Sequence, residues 1–269
     1  GLDVLAFATH GLVAGEMAGL WEPALLLGTG DPAAGEDELA LEEGVGTTIS
    51  SGVPDPWEGW NRRVFAVNTA LDDAVIAPLA EGYRAVTPKA GRRGLRRFLA
   101  HIRLPVVFVN DVLQGEFTRA GETVSRFIVN STIGAGGFAD PMALMGVAPH
   151  TEDFGQTLAV WGVGSGPYIV APFFGPTTLR DGFGSLAQIP ADPLFHINTP
   201  AASAARISRT AVGAVSAREQ FLDPSREIAA NSLDLYSSYR SFFLQARKRE
   251  IANGKADFDD LPEFEEYDE

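Results

Sequence analysis

Between residues 138 and 200 the chain is crowded with glycine and proline, at Gly162, Gly164, Gly166, Pro167, Pro172, Gly175, Pro176, Pro190 and Pro193. Glycine costs backbone entropy inside a helix or strand, and proline removes a hydrogen-bond donor. No long regular element fits there, so extended helices are confined to the flanks. Upstream, Asp55 followed by Pro56 reads as an N-cap and first turn, which predicts a helix from there to about Ala74. From Lys89, the residues Leu95, Phe98, Leu99 and Ile102 recur at three- and four-residue spacing opposite Arg92, Arg93, Arg96 and Arg97, the pattern of a strongly basic amphipathic helix. Pro105 interrupts it, and the apolar run Val106-Val107-Phe108-Val109 is too short to assign by periodicity. Phe117, Ala120, Val124, Phe127 and Ile128 trace a further helical stripe that ends at Gly134, Gly136 and Gly137. Downstream, Asp223 and Pro224 suit the start of the longest helix expected, with Ile228, Leu235, Tyr239, Phe242, Phe243 and Ala246 on one face.

Charge divides the chain more sharply than hydrophobicity does. Residues 1–61 hold eleven acids and no Lys or Arg, and residues 257–269 hold eight acids and none. Removing both sets from the formal net charge of −14 leaves +5 for residues 62–256. A mildly basic body therefore carries two acidic arms, either solvating tails or surfaces for a partner. We expect residues 1–53 to form a partly ordered N-terminal tail, residues 54–252 a helical domain and residues 253–269 a C-terminal tail. Acidic arms repel phosphate and no nucleic-acid recognition motif is present, so nucleic acid is not an expected partner. With 45% hydrophobic residues the chain can bury a core, and Phe (17) outnumbers Tyr (5) and Trp (4), which suits purely apolar coverage.

The absence of Cys removes disulfides, thiolate zinc sites and a cysteine nucleophile together. The Leu-rich start contains Asp3, Glu16 and Glu22 with no basic residue before them, so it does not read as a secretion signal, and the chain is expected to be a mature protein or a part of one. No apolar run approaches the roughly 18 residues of a spanning helix. Membrane contact would have to come from short, broken or amphipathic elements.

Catalytic constellations are sparse. A serine hydrolase elbow needs G-x-S-x-G, and Gly162-Val163-Gly164-Ser165-Gly166 puts Val163 where the first glycine belongs. As a phosphate loop the same stretch lacks the terminal Lys. Of the four histidines only His150 has acids nearby, Glu152 and Asp153, and an ordinary polar loop explains them as well as a metal site does. No catalytic residue, metal site or cofactor is expected. From Arg84 to Arg103 there are seven Lys or Arg and no acid. That stretch either faces anionic headgroups, where each charge adds about 1 kcal/mol, or is a solvated helix face.

Several strings, in order, resemble the MlaA (VacJ) lipoprotein family. Asp55-Pro56-Trp57-Glu58-Gly59-Trp60-Asn61-Arg62 looks like its D-P-x-E-x-x-N-R opening, and Asn110-Asp111-Val112-Leu113-Gln114-Gly115 like its N-x-x-L-Q-G segment. The run from Arg126 through Asn130, Gly134 and Gly137 to Asp140 resembles R-F-x-x-N-[ST]-x-x-G-x-x-G-x-x-D. Phe154-Gly155-Gln156-Thr157-Leu158, Gly162 to Pro167-Tyr168, Pro172-Phe173-Phe174-Gly175-Pro176 and Arg180-Asp181 complete the series over residues 55–181.

The resemblance implies a mostly helical, ring-shaped domain with a central amphipathic channel and a Gly/Pro-rich irregular half. It implies removal of phospholipid from the outer leaflet of the outer membrane, facing the periplasm, and delivery to a soluble MlaC-like lipid carrier beside a trimeric porin. Candidate lipid contacts are Arg92, Arg93, Arg96, Arg97, Gly134, Gly136, Gly137, Asp140, Phe154, Pro167 and Tyr168. The glycines are open to two readings, helix caps or a hinge beside the channel. The lipidated N-terminal Cys usual in the family has no counterpart in this sequence. Two rival functions are a phospholipase and a purely structural outer-membrane protein.

Overall fold

The computed structural model describes residues 52–252, and the expected tails lie outside the described residues apart from residues 52 and 53. The described chain is mostly helical, in the order α1 (Glu58–Leu71), a π-helical turn (Asp72–Ile76), α2 (Ala77–Val86), α3 (Lys89–His101), α4 (Leu104–Gln114), α5 (Phe117–Thr132), α6 (Pro141–Leu144) and α7 (Phe154–Val160). A hairpin of β1 (Tyr168–Ala171) and β2 (Gly175–Thr178) follows, then α8 (Leu179–Ala187), two short 3-10 turns, α9 (Pro200–Asn231) and α10 (Leu235–Ile251). The Gly/Pro-rich stretch holds no element longer than the nine residues of α8, as the sequence requires.

Two helix starts differ from the sequence expectation. Asp55 does not cap α1, which begins at Glu58 with Trp57 at the N-cap and no side-chain cap. The Asp55 carboxylate instead accepts from Asn61 Nδ2 at 2.7 Å and from the Tyr236 hydroxyl, a tertiary demand that overrides the local one. Helical backbone also continues past Ala74, through the π-helical turn and α2 to Val86. Asp223 and Pro224 start nothing. Thr199 caps α9 through Ala202 N at 3.1 Å, and the helix runs 32 residues with Pro224 inside it. Asp223 pairs with Arg84 at 2.8 Å, and the actual cap downstream is Asp234, whose Oδ1 accepts from Tyr236 N at 3.1 Å. The expected single face is thus divided, Ile228 on α9 and the others on α10.

The hairpin lies against α1, and its antiparallel register pairs Tyr168 with Thr178 and Ala171 with Gly175. Two asparagines seven residues apart on α1 stand in for a third strand. Asn61 donates to Tyr168 O at 3.1 Å and accepts from Val170 N at 2.9 Å, while Asn68 donates to Ala171 O at 3.0 Å and accepts from Phe173 N at 2.9 Å. A primary amide presents a donor and an acceptor side by side, so it satisfies an open strand edge as a peptide group would. Val64, Tyr168, Val170, Tyr236 and Leu244 form the apolar core behind this hairpin.

On α4 and α5 polar side chains are buried while large apolar ones are exposed. On α5 the buried positions are Ala120, Thr123, Arg126 and Asn130, while Phe117 is 71% and Ile128 56% exposed. On α4 the buried set includes Asn110 and Asp111, and Phe108, Val109, Val112 and Leu113 are exposed. The stripe predicted on α5 is real, but all of it except Ala120 points outward. Among the described residues no helix is long and apolar enough to cross a membrane.

Candidate functional site

A cavity of about 420 Å³ lies between α3, α4, α5 and α9. Leu99, Leu104, Val107 and Ala217 give it aliphatic walls, and Arg97 and Arg103 add positive charge. Arg97 has no ion pair or side-chain hydrogen bond among the described residues. A lining that is greasy over most of its area and cationic at a few points matches an amphiphile with acyl chains and an anionic group.

The four arginines predicted on α3 separate. Arg92 and Arg96 turn toward a carboxylate on α9, Glu219, at 3.2 and 3.5 Å, and Arg84 of α2 reaches the same carboxylate at 3.0 Å. The Arg92 side chain is only 11% exposed, so it is neither a solvated charge nor free for a headgroup. Arg93 and Arg97 remain exposed. Arg96 and Arg97 both border the cavity, whereas Arg92 and Arg93 line a second recess, of about 320 Å³, on the far side of Arg96.

Around the cavity, the motif residues form buried polar clamps. Arg126 donates to both oxygens of Asp140 at 2.5 Å and to Val147 O at 2.6 Å, and Asn130 Nδ2 reaches Asp140 Oδ1 at 2.9 Å. Asp140 also caps α6 through Ala143 N at 3.2 Å. These residues fix the turn after α5, where Gly136 (φ +70°) and Gly137 (φ +91°) take left-handed backbone and Gly137 N donates to Asn130 O at 2.8 Å. A Cβ at Gly137 would sit 2.4 Å from the His101 ring, and one on Gly134 would meet Ala139 O at 2.6 Å. Both close approaches and the capping bond support the structural reading of the cluster. His101 borders the cavity, stacks on Phe127 at 5.0 Å, and is held below its usual pKa by burial.

A second clamp joins α4 to α7. Thr157 Oγ1 donates to Asn110 Oδ1 at 2.7 Å, and Gln114 Nε2 donates to Glu152 Oε2 at 2.8 Å, with Gly115 (φ +78°) ending α4. Burial pushes the Glu152 carboxyl up, opposed by the bond from Gln114 and the charge of Arg119. The third clamp centres on Arg247 of α10, which binds Asp153 and Asp181 at 2.6 and 3.1 Å, while Arg180 Nε donates to Asp181 Oδ1 at 2.9 Å. Arg62 pairs with Glu58 and Asp234 at 2.7 and 2.6 Å, and Pro56 is exposed. Pro167 and Phe154 belong to packing, Pro167 O accepting from Leu179 N at 3.1 Å and Phe154 meeting Trp161 edge-on at 5.8 Å. Buried Tyr168 sits in the apolar core, away from the residues lining the cavity.

The hydrolase and metal candidates resolve into structural contacts. Ser165 Oγ donates to its neighbour Gly166 O at 3.3 Å. His150 Nε2 lies 3.1 Å from Asp111 Oδ1, Thr123 donates to Asp111 Oδ2 at 2.7 Å, and Glu152 and Asp153 turn to other partners. Glu219, Arg103 and Arg247 were not singled out as site residues from the sequence, and Asp153 was singled out only as an acid near His150. Only Gly155 hinted at Arg247, since a Cβ there would lie 2.6 Å from Arg247 Nη2.

A family model described as MlaA lipoprotein matches residues 53–250. The intermembrane phospholipid transport system lipoprotein MlaA of Shigella flexneri is 34% identical over 213 residues, covering 77% of this chain and 82% of that protein. An uncharacterised protein of Rickettsia bellii is 35% identical over 200 residues, covering 74% and 77%. A solved structure described as "Structural basis for maintenance of bacterial outer membrane lipid asymmetry" superposes with a TM-score of 0.63 at 33% identity, covering 74% of this chain and 99% of that one.

Proposed function

The chain belongs to the MlaA lipoprotein family, and from that membership we propose that it draws phospholipid out of the outer leaflet of the outer membrane and hands it on uncleaved. Phospholipid and the other components of an intermembrane transport system are its partners, and the outer-membrane envelope is its place. On our reading residues 54–252 are the lipid-handling body, ring-shaped around an amphipathic channel of which the cavity is a part. Delivery is to an MlaC-like periplasmic carrier, from a periplasm-facing position beside a trimeric porin.

The observation that carries this reading is the reversed polarity of the α4–α5 hairpin. Exposed Phe117 and Ile128 face outward while Thr123, Arg126 and Asn130 are buried, and the aliphatic and cationic cavity lies directly behind them. Such a hairpin is stable where its surroundings are apolar, because exposing large side chains to water costs roughly 1.5–3 kcal/mol each. Acyl chains outside and a lipid path inside explain both faces at once.

Transfer of labelled phospholipid from donor vesicles to a soluble carrier, followed by mass spectrometry, tests the proposal. Intact lipid should arrive at the acceptor. Lysolipid accumulating with time would give the protein to the phospholipases, and binding of partners without any lipid movement would make it structural.

A further inference from the structure

The recess beside the cavity is where the charge of the body concentrates. Arg84, Lys89, Arg92, Arg93 and Arg96 surround about 320 Å³ of space, with Glu219 as the acid in its wall. Glu219 and Asp223 compensate Arg84, Arg92 and Arg96 at 2.8–3.5 Å. Lys89 and Arg93 have no ion pair among the described residues and are exposed. Five cations against two carboxylates leave three positive charges around one concavity.

Local helix electrostatics add to the excess. The recess includes the first turn of α3, which has no side-chain cap and no acid, although that end of a 13-residue helix carries partial positive charge. Placing Lys89, Arg92 and Arg93 there opposes the helix dipole, so the arrangement costs stability until an anion binds. A phosphate, with up to about two negative charges and several acceptor oxygens, compensates more of this excess than one carboxylate can. The recess also adjoins the cavity, since Arg96 and Gln220 line both.

We propose that this recess is a phosphate-binding site, separate from the cavity and next to it, that holds the phosphate of an anionic lipid headgroup. Lys89 and Arg93 supply the uncommitted charge, and Arg84, Arg92 and Arg96 are kept in place by Glu219. The site rests on the lipid-transport reading above, and adds to it a preference for phosphomonoester lipid over zwitterionic lipid.

Calorimetric titration of the full chain in non-ionic detergent tests it, using dihexanoyl phosphatidic acid, dihexanoyl phosphatidylcholine and inorganic phosphate as probes. Phosphatidic acid should bind more tightly than either of the others, and its affinity should fall as salt rises. Lys89→Ala with Arg93→Ala should weaken it roughly 25-fold, about five-fold per cation removed. Both side chains are exposed and unpaired, so the double variant should fold, and Arg63→Ala, an exposed arginine outside the recess, should bind like the parent. Unchanged affinity in the double variant overturns the site. Inorganic phosphate binding as tightly as phosphatidic acid overturns its assignment to lipid. A double variant that loses phosphatidic acid yet still moves zwitterionic lipid supports a site separate from the conduit. A parent protein that moves no lipid at all while binding phosphatidic acid at the recess would instead sink the transport reading and leave the phosphate site standing.

Discussion

Arg247 on α10 grips Asp153 at the start of α7 with two parallel hydrogen bonds, Nη1 to Oδ2 at 2.6 Å and Nη2 to Oδ1 at 2.8 Å, and both side chains are buried. Removing the guanidinium in Arg247→Ala would leave Asp153 buried without its paired countercharge and Asp181 with Arg180 alone, a loss of about 3–5 kcal/mol by equilibrium denaturation. Asp153 also caps α7 through Gln156 N at 2.9 Å, so the damage should begin at the α7–α8 crossing.

The same pair sets an acid limit. Burial alone would raise the Asp153 carboxyl, but the charge and hydrogen bonds of Arg247 outweigh it and hold the group below its ordinary value. A carboxyl depressed in the folded state stabilises fully above its unfolded pKa of about 3.9, and that contribution is lost as pH falls below it. Thermal unfolding followed from pH 7 to pH 3 should show stability falling through the acid end of this range. The slope should be smaller in Asp153→Asn, provided that variant still folds.

Asn61 and Asn68 differ in depth while doing the same work on β1. Asn61 is fully buried and also binds Asp55, so Asn61→Ala should cost roughly 2–4 kcal/mol, and Asn68→Ala, half-buried, about 1 kcal/mol. Amide exchange of Val170 and Phe173 reports each loss separately, because each N–H gives its bond to one asparagine.

Gly137→Ala brings a Cβ onto the His101 ring in backbone that side chains avoid. A loss of roughly 1–3 kcal/mol is expected. Gly136→Ala should be milder, since nothing lies within 4 Å of its Cβ position and only the φ of +70° opposes it. Equal losses in the two variants would mean that contact with His101 contributes nothing.

Phe117→Ser with Ile128→Ser probes the outward stripe. Folding in detergent should barely change, because neither side chain is buried, while partition into vesicles should weaken by roughly 1.5–3 kcal/mol per residue if both enter lipid. Flotation of parent and variant with the same liposomes measures the difference.

Several features were legible in the sequence because they are local. The basic helix from Lys89, the stripe on α5, the break imposed by Gly134 to Gly137 and the short elements after residue 138 all follow from spacing and from the conformational limits of glycine and proline. The ordered motifs also pointed to the family that the chain proves to match over residues 53–250.

Which way each face turns was decided by the tertiary structure. Periodicity shows that Phe117, Val124, Phe127 and Ile128 share a side of α5, but whether that side turns inward or outward depends on what packs against Arg126 and Asn130, and Asp140 holds both of these inside. Asp55 and Asp223 look like caps because a carboxylate before proline suits a helix start. Each is instead taken by a partner distant in sequence, Tyr236 for Asp55 and Arg84 for Asp223, which local residue type does not reveal. Glu219 lies about 120 residues beyond the arginines it gathers, so the recess became visible only once α9 was laid along α2 and α3.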